Sequence, residues 1–331
     1  MVSFNSAVGK FLKGYKRTAV FAITSQCNCK CYMCDMHRRE PQRISLEDAK
    51  KVLDFLAQNK FLIAYFTGGE PTLHPNVVEI VEYANRLGLV ATMTTNGTVS
   101  REMLLKLKDA GLYLISVSLD HWDADVCEKI RNHKDIFAKQ VSTMKYLNEI
   151  GLKTYALAFL NSFLVEDGVE KLIDYANNEV GVPFGFCYPT TSAVNSYRLG
   201  STISKGDYSE NLRKSVETIL KYKKSGREVA NLATYIEDII NLEDGKTPNF
   251  YCRGGEDVVY IDWLGDVYPC FLKGKLFNIL KDKQPKLLKD VRCNDCLINC
   301  FREPSLLPQI LSPSLLTKEV YHSLSTRKIY R

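Results

Sequence analysis

Between residues 19 and 188 the chain alternates. Short runs rich in β-branched and aromatic residues fall at Ala19–Ile23, Leu62–Phe66, Val90–Thr95, Leu112–Leu119, Lys153–Leu160 and Pro183–Tyr188. Between them lie amphipathic stretches at about Leu46–Gln58, Val77–Leu87, Glu102–Asp109, Phe137–Glu149 and Val169–Asn178. A parallel strand pair needs a crossover long enough to hold a helix, so this alternation implies parallel strands with helices outside. Gly88, Gly111, Gly151 and Gly181 each stand between a helix and the next strand, where a left-handed cap ends the helix. Six such units are too few to close an eight-stranded barrel. The expected fold is α/β, an open partial (β/α)6 TIM-like barrel, with an open doubly wound sheet as the alternative.

The pattern changes on either side. Val8, Phe11, Leu12 and Tyr15 recur at helical spacing, with Lys10, Lys13, Lys16 and Arg17 between them. The spacing predicts an amphipathic helix over 8–17, either a lid on an open barrel end or a membrane-surface helix. Beyond Tyr188, helices are expected at about Tyr208–Lys224 and Leu232–Leu242, then a loop-rich region with a hairpin of Val258–Ile261 and Asp266–Tyr268 turning at Leu264-Gly265. The domain reading is an N-terminal amphipathic segment (1–18), a barrel with C-terminal helices (19–244), a small loop-rich domain (245–303) and a basic tail (304–331).

Cysteine usage narrows the chemistry. Eleven cysteines lie in a chain with neither an apolar signal core nor a run long enough to span a bilayer, so a cytoplasmic location and reduced thiols are the expectation. Four crowd into Cys27–Cys34 directly after the first strand, and thiols crowded this way suit a soft metal or an iron–sulfur cluster. The subset Cys27, Cys31 and Cys34, spaced C-x3-C-x2-C, would leave one iron of a four-iron cube open. Cys29 is then a bystander. The net charge of +6 is concentrated in 271–292, with seven basic residues against two acidic. A nucleic-acid binder spreads such charge over a wider face, so no nucleic-acid partner is expected.

In parallel α/β barrels functional groups gather at the C-terminal strand ends. Here those ends are the Cys27 motif, Thr67-Gly68-Gly69-Glu70-Pro71, Thr94-Thr95-Asn96-Gly97, Ser116-Val117-Ser118-Leu119-Asp120 and Cys187-Tyr188. Over residues 19–190 this resembles the radical S-adenosylmethionine (SAM) enzymes, through C-x3-C-x2-C after strand one and Gly-Gly-Glu-Pro after strand two. The resemblance implies an oxygen-sensitive [4Fe–4S] cluster on Cys27, Cys31 and Cys34, with SAM chelating the open iron. It implies that Gly68 and Gly69 let backbone approach the methionine moiety, that Glu70 faces its cationic side and that Asn96 meets the ribose. Ser118 and Arg131 are carboxylate candidates, although an arginine on a helix is more commonly a surface cation. The implied chemistry is one-electron cleavage of SAM to an adenosyl radical that takes hydrogen from a substrate.

Cys252, Cys270, Cys293, Cys296 and Cys300 form a second set, in C-x12-G-x4-C followed by C-x2-C-x3-C. This resembles the SPASM and twitch extensions of radical SAM enzymes. Five cysteines imply one auxiliary [4Fe–4S] cluster, on Cys252, Cys270, Cys293 and Cys296, with Cys300 as spare or replacement for Cys296. Structural zinc is the alternative, since C-x2-C also suits zinc. Cys187 is a candidate catalytic residue, as hydrogen donor or radical relay; otherwise it is a packed apolar side chain. Asp120 and Tyr188 either touch SAM or substrate or make ordinary buried hydrogen bonds.

The expected reaction is oxidation, or carbon–carbon or carbon–heteroatom bond formation, on a peptide or small molecule, with flavodoxin or ferredoxin as reductant. Radical modification of a lipid or isoprenoid, with peripheral membrane contact through the basic ends, is the alternative among enzymes. A non-enzymatic iron–sulfur electron-transfer protein is the alternative outside them.

Overall fold

A computed structural model describes residues 4–189 and 209–309. Nine strands form one sheet. Their ranges are β1 Arg17–Thr24, β2 Phe61–Gly68, β3 Val90–Thr95, β4 Leu114–Ser118, β5 Lys153–Phe159, β6 Phe184–Cys187, β7 Val258–Ile261, β8 Asp266–Tyr268 and β9 Phe277–Asn278. Their order is β6-β5-β4-β3-β2-β1-β7-β8-β9. The six consecutive strands pair in parallel, as the alternation requires. The fold is the expected partial barrel, and β1 is buried along nearly its whole length because both its faces are covered.

The helices around the barrel are α1 Phe4–Leu12, α2 Leu46–Gln58, α3 Val77–Arg86, α4 Arg101–Asp109, α5 Ala124–Arg131, α6 Ile136–Glu149, α7 Ser162–Asp167 and α8 Val169–Asp174, the last widening into a π-turn over Tyr175–Val180. The periodic pattern did not reveal α5 and α7 as units. Each is a few residues long, shorter than the window in which a 3.6-residue period is readable. Side-chain caps set several starts. The Ser45 hydroxyl accepts from Asp48 N at 3.1 Å and donates to its carboxylate at 2.9 Å. Ser45→Ala is expected to destabilise the protein by about 1 kcal/mol, read as a lower urea midpoint with an unchanged slope.

The predicted helix over 8–17 is corrected: it runs from Phe4 to Leu12, and the chain turns at Gly14, at φ +88°, to enter β1 at Arg17. Two of the cations that suggested a membrane face are engaged within the fold. Lys10 donates to the carbonyls of Leu87 and Gly88 at 3.0 and 2.8 Å, closing the C-terminus of α3. Arg17 donates to Asn59 O and Glu256 O and lies 3.8 Å from the Asp257 carboxylate. Phe11 and Tyr15 pack on Leu62 and Val90, so α1 covers the N-terminal ends of β2 and β3. No helix among the described residues is long and apolar enough to cross a membrane.

After β6 come α9 Ser209–Lys224 and α10 Ala233–Glu243, then β7, which pairs in parallel with β1 through Thr18↔Val258 to Phe21↔Ile261. The sheet therefore continues across the boundary expected at 244/245. The hairpin β7–β8 has its predicted bounds, with Gly265 in the turn at φ +78°. Helix α11, Asn299–Ser305, is tied to α10 by a fully buried ion pair, Arg302 to Asp238 at 2.9 Å. The basic tail from 310 onward, including the helix expected from Leu316, lies outside the described residues.

Candidate functional site

At the C-terminal ends of the strands lies a cavity of ≈ 180 Å³. Cys27, Cys31 and Cys34 line it; Cys29 does not. Instead hydrogen bonding with the Cys29 thiol lowers the pKa of Cys27 and of Cys31, and Cys29 N donates to Cys27 Sγ at 3.5 Å; Cys31, helped by Arg131, comes down to about 7. Burial pushes Cys34 up to about 12. Arg131 Nη1 lies 3.9 Å from Cys31 Sγ, and Asn96 Nδ2 lies 4.0 Å from Cys27 Sγ.

The loop is seated by Gly68 and Gly69. A Cβ on Gly68 would stand 2.1 Å from Thr24 O, and one on Gly69 2.2 Å from Gln26 O. Gly69 N and Glu70 N donate to those same two carbonyls, each at 2.8 Å. The paired glycines thus hold the β1 exit backbone to backbone, immediately before Cys27, while also lining the cavity. Glu70 departs from its expected place facing a ligand. It is fully buried, and its carboxylate accepts from Thr72 N and Oγ1, from Thr95 Oγ1 at 2.8 Å and from Asn96 N at 2.7 Å. Burial raises its pKa against these bonds. It ties the end of β2 to the end of β3.

Asn96, Ser118 and Arg131 all line the cavity. Arg131 is no surface cation. Its side chain is 12% exposed, and its Nε donates at 2.6 Å to Asp120, which is 0% exposed. The other Asp120 oxygen accepts from Phe159 N at 2.9 Å, so this carboxylate positions the arginine and does not face the cavity. Tyr188 is buried and donates to Glu243.

Cys252 and Cys293 exchange backbone hydrogen bonds at 3.0 and 3.1 Å, the two strand-like segments meeting as an isolated bridge. Burial raises the pKa of Cys252, Cys270 and Cys296, and neighbouring thiols within the set of Cys252, Cys270, Cys293 and Cys296 raise each further. Cys300 is turned elsewhere: it lines the cavity together with Cys187. Phe271, Ile298 and Asn299 join it, so segments flanking the second cysteine set wall the space that holds the first.

An interior polar layer escaped the sequence reading. Tyr65 hydrogen-bonds Thr94, Thr94 meets Ser116 at 2.5 Å, and Ser116 also bonds Tyr155. Below it a second cavity of ≈ 470 Å³ shares Leu157, Asn299 and Cys300 with the first. The signal was available, since Tyr65, Thr94 and Ser116 occupy inward positions of strands whose alternation should read apolar.

The donor set suits an iron–sulfur cluster. The three thiols of the Cys27 loop open into one cavity beside a buried guanidinium, and among the described residues no carboxylate or imidazole lines that cavity. No group of three His, Cys, Asp or Glu among the described residues is gathered to hold a single metal ion.

Residues 21–183 match the Radical SAM superfamily model. Fe-coproporphyrin III synthase of Methanosarcina barkeri is 33% identical over 162 residues, 48% of this chain and 40% of its own length. The antilisterial bacteriocin subtilosin biosynthesis protein AlbA of Bacillus subtilis is 26% identical over 269 residues, 79% of this chain and 56% of its own. The chain thus spans about half the length of the curated relatives it matches. Streptococcus suis SuiB bound to S-adenosylmethionine superposes with a TM-score of 0.64 at 20% identity, over 84% of this chain and 68% of that one. SuiB bound to its precursor peptide SuiA gives 0.59 at 18%, over 93% and 70%. The strand array, the thiol loop and the family match fall on the same stretch, and residues 21–183 of the chain are a Radical SAM superfamily domain.

Proposed function

We propose that this chain carries out SAM-dependent radical modification of a peptide in the cavity between its two cysteine sets. One observation carries the reading: Cys27, Cys31 and Cys34 open into a space whose other walls include Phe271, Ile298 and Asn299, next to the second set. AlbA, by its name, serves bacteriocin biosynthesis, and SuiB has been seen with a precursor peptide; both support a peptide over other small molecules.

In this reading Cys27, Cys31 and Cys34 hold a [4Fe–4S] cluster, and Cys252, Cys270, Cys293 and Cys296 hold an auxiliary one. With SAM and an electron from a flavodoxin or ferredoxin, the first cluster supplies a carbon-centred radical able to remove hydrogen from an unactivated position. The protein supplies place and dryness. Arg131, fixed by Asp120, offers a buried cation to the SAM carboxylate, with Ser118 beside it. Asn96 is oriented by accepting from Thr98 N and Oγ1 and donating to Asn28. Met33, Met36, Leu157 and Phe159 keep water from the reacting atoms. Cys252, Cys270, Cys293 and Cys296 would hold the auxiliary cluster, which would supply an electron acceptor for a reaction whose product is oxidised or ring-closed.

The test is anaerobic reconstitution with iron and sulfide, then dithionite and SAM. Wild type should form 5′-deoxyadenosine. Replacing Cys27, Cys31 and Cys34 together by Ala should abolish it and remove about half of the iron, as two equal clusters require. Product from the triple variant, or none from wild type, sinks the proposal.

A further inference from the structure

Four thiols belong to neither metal set, Cys29, Cys127, Cys187 and Cys300, and only the last two face the cavity among the described residues. Cys187 ends β6 and Cys300 is the second residue of α11; both line the ≈ 180 Å³ cavity. Asn299 stands between them. Its side chain hydrogen-bonds Cys187, and the Cys300 thiol points at Asn299 Oδ1 at 3.9 Å. In the sheet β6 lies at the far end of the parallel array from β1, so Cys187 enters the cavity from a different wall than Cys27.

We propose that Cys187 returns a hydrogen atom to a carbon radical formed on the substrate, with Asn299 positioning its thiol and Cys300 as a second S–H beside it. The inference rests on the radical reading above and gives the substrate radical a second exit, besides loss of an electron. Burial keeps both groups in the form the step needs: it pushes the Cys300 thiol up to about 12 and Cys187 well up too. An S–H bond is weaker than an unactivated alkyl C–H bond and comparable to a peptide Cα–H bond, so transfer runs downhill to an alkyl radical and is close to balanced at a Cα, where reduction of the sulfur radical draws it forward.

The bookkeeping closes. The substrate radical gains H from Cys187, leaving a sulfur radical. One electron from the flavodoxin- or ferredoxin-type reductant and one proton restore the thiol. Each turnover then consumes two electrons, one for SAM and one for sulfur, and leaves substrate composition unchanged. Hydrogen removed from the Cys27 side and returned from the β6 side inverts the carbon, so the reaction class is epimerisation of a C–H centre.

Two measurements on the reconstituted full chain test this. In the first, the resting protein is treated anaerobically with methyl methanethiosulfonate and mapped by mass spectrometry. Cys187 and Cys300 should be modified while Cys252, Cys270, Cys293 and Cys296 are protected. A protected Cys300, with iron lost on Cys300→Ser, would make it a cluster ligand and overturn the proposal. In the second, dithionite and SAM alone are supplied in D2O, so that the adenosyl radical stands in for the substrate radical. Wild-type 5′-deoxyadenosine should carry deuterium, and the labelled fraction should fall several-fold in Cys187→Ser and less in Cys300→Ser. The fraction is read independently of how much product forms. If Cys187→Ser does not accumulate, Asn299→Ala should lower the fraction by misplacing the thiol. Unlabelled wild-type product, or a fraction unmoved by these variants, overturns the thiol role alone, whereas no wild-type product overturns the radical reading beneath it.

Discussion

Arg302→Met is expected to lower stability by about 3–5 kcal/mol, because it leaves a buried carboxylate without its cation. Both side chains of the Arg302–Asp238 pair are 0% exposed. The guanidinium also donates to Asn294 Oδ1 at 3.1 Å and Phe250 O at 3.1 Å and lies over the Phe250 ring. Asp238 in turn accepts from Asn249 N and Nδ2 at 2.6 and 2.7 Å. The pair therefore sits at the meeting of α10, α11 and the segment leading to Cys252. Urea unfolding of the reconstituted protein reads the effect. The double variant Arg302→Met/Asp238→Leu should recover much of the loss, since an apolar pair needs no mutual neutralisation. A single variant within about 1 kcal/mol of wild type would show that water reaches Asp238 and relieves it.

Gly68→Ala is expected to purify with the first cluster largely missing. The new Cβ would meet Thr24 O at 2.1 Å, and the residue sits at φ +135°. Backbone strain of that kind costs about 1–3 kcal/mol, and the overlap adds about 1–3 kcal/mol more unless Thr24 moves. Thr24 opens the short link to Cys27, so the least costly relief displaces the thiols. Iron should fall by about half while far-UV circular dichroism stays near wild type, if two equal clusters are present. Gly274→Ala is the control, with nothing within 4 Å of its added Cβ and no positive φ. Full iron in Gly68→Ala would mean that the loop tolerates the shift.

Local signals read well from sequence, and long-range ones did not. Val90–Thr95, Val258–Ile261 and Asp266–Tyr268 carry the bounds expected of them, because apolar runs closed by glycine or polar residues mark strands within a few residues. Gly68 and Glu70 were legible as important, yet their roles were not. The contacts that decide them lie on β1 and β3, far off in sequence. Arg131 reads as a surface cation from its helix alone because its partner Asp120 lies before the helix begins, just past the end of β4, outside the i±3 and i±4 neighbours that a helical pattern shows. The orientation of Cys300 depends on how α11 packs, and spacing from Cys296 carries no trace of that. The first helix was misplaced because basic residues suit a helix face and a strand entry equally well until Gly14 and Arg17 are assigned.

The parallel pairing of β7 with β1 sets an order of events during synthesis. Thr18 waits for Val258, and in the meantime β1 has one edge open although both its faces are apolar. An unpaired strand of that kind is a template for the wrong chain. Ribosomes add only about 5–20 residues per second, so the nascent barrel stays open-edged for many seconds after β1 emerges. Over that interval, shielding by a chaperone or by slow, cool expression should raise the soluble yield more than any change made after β7 is in place.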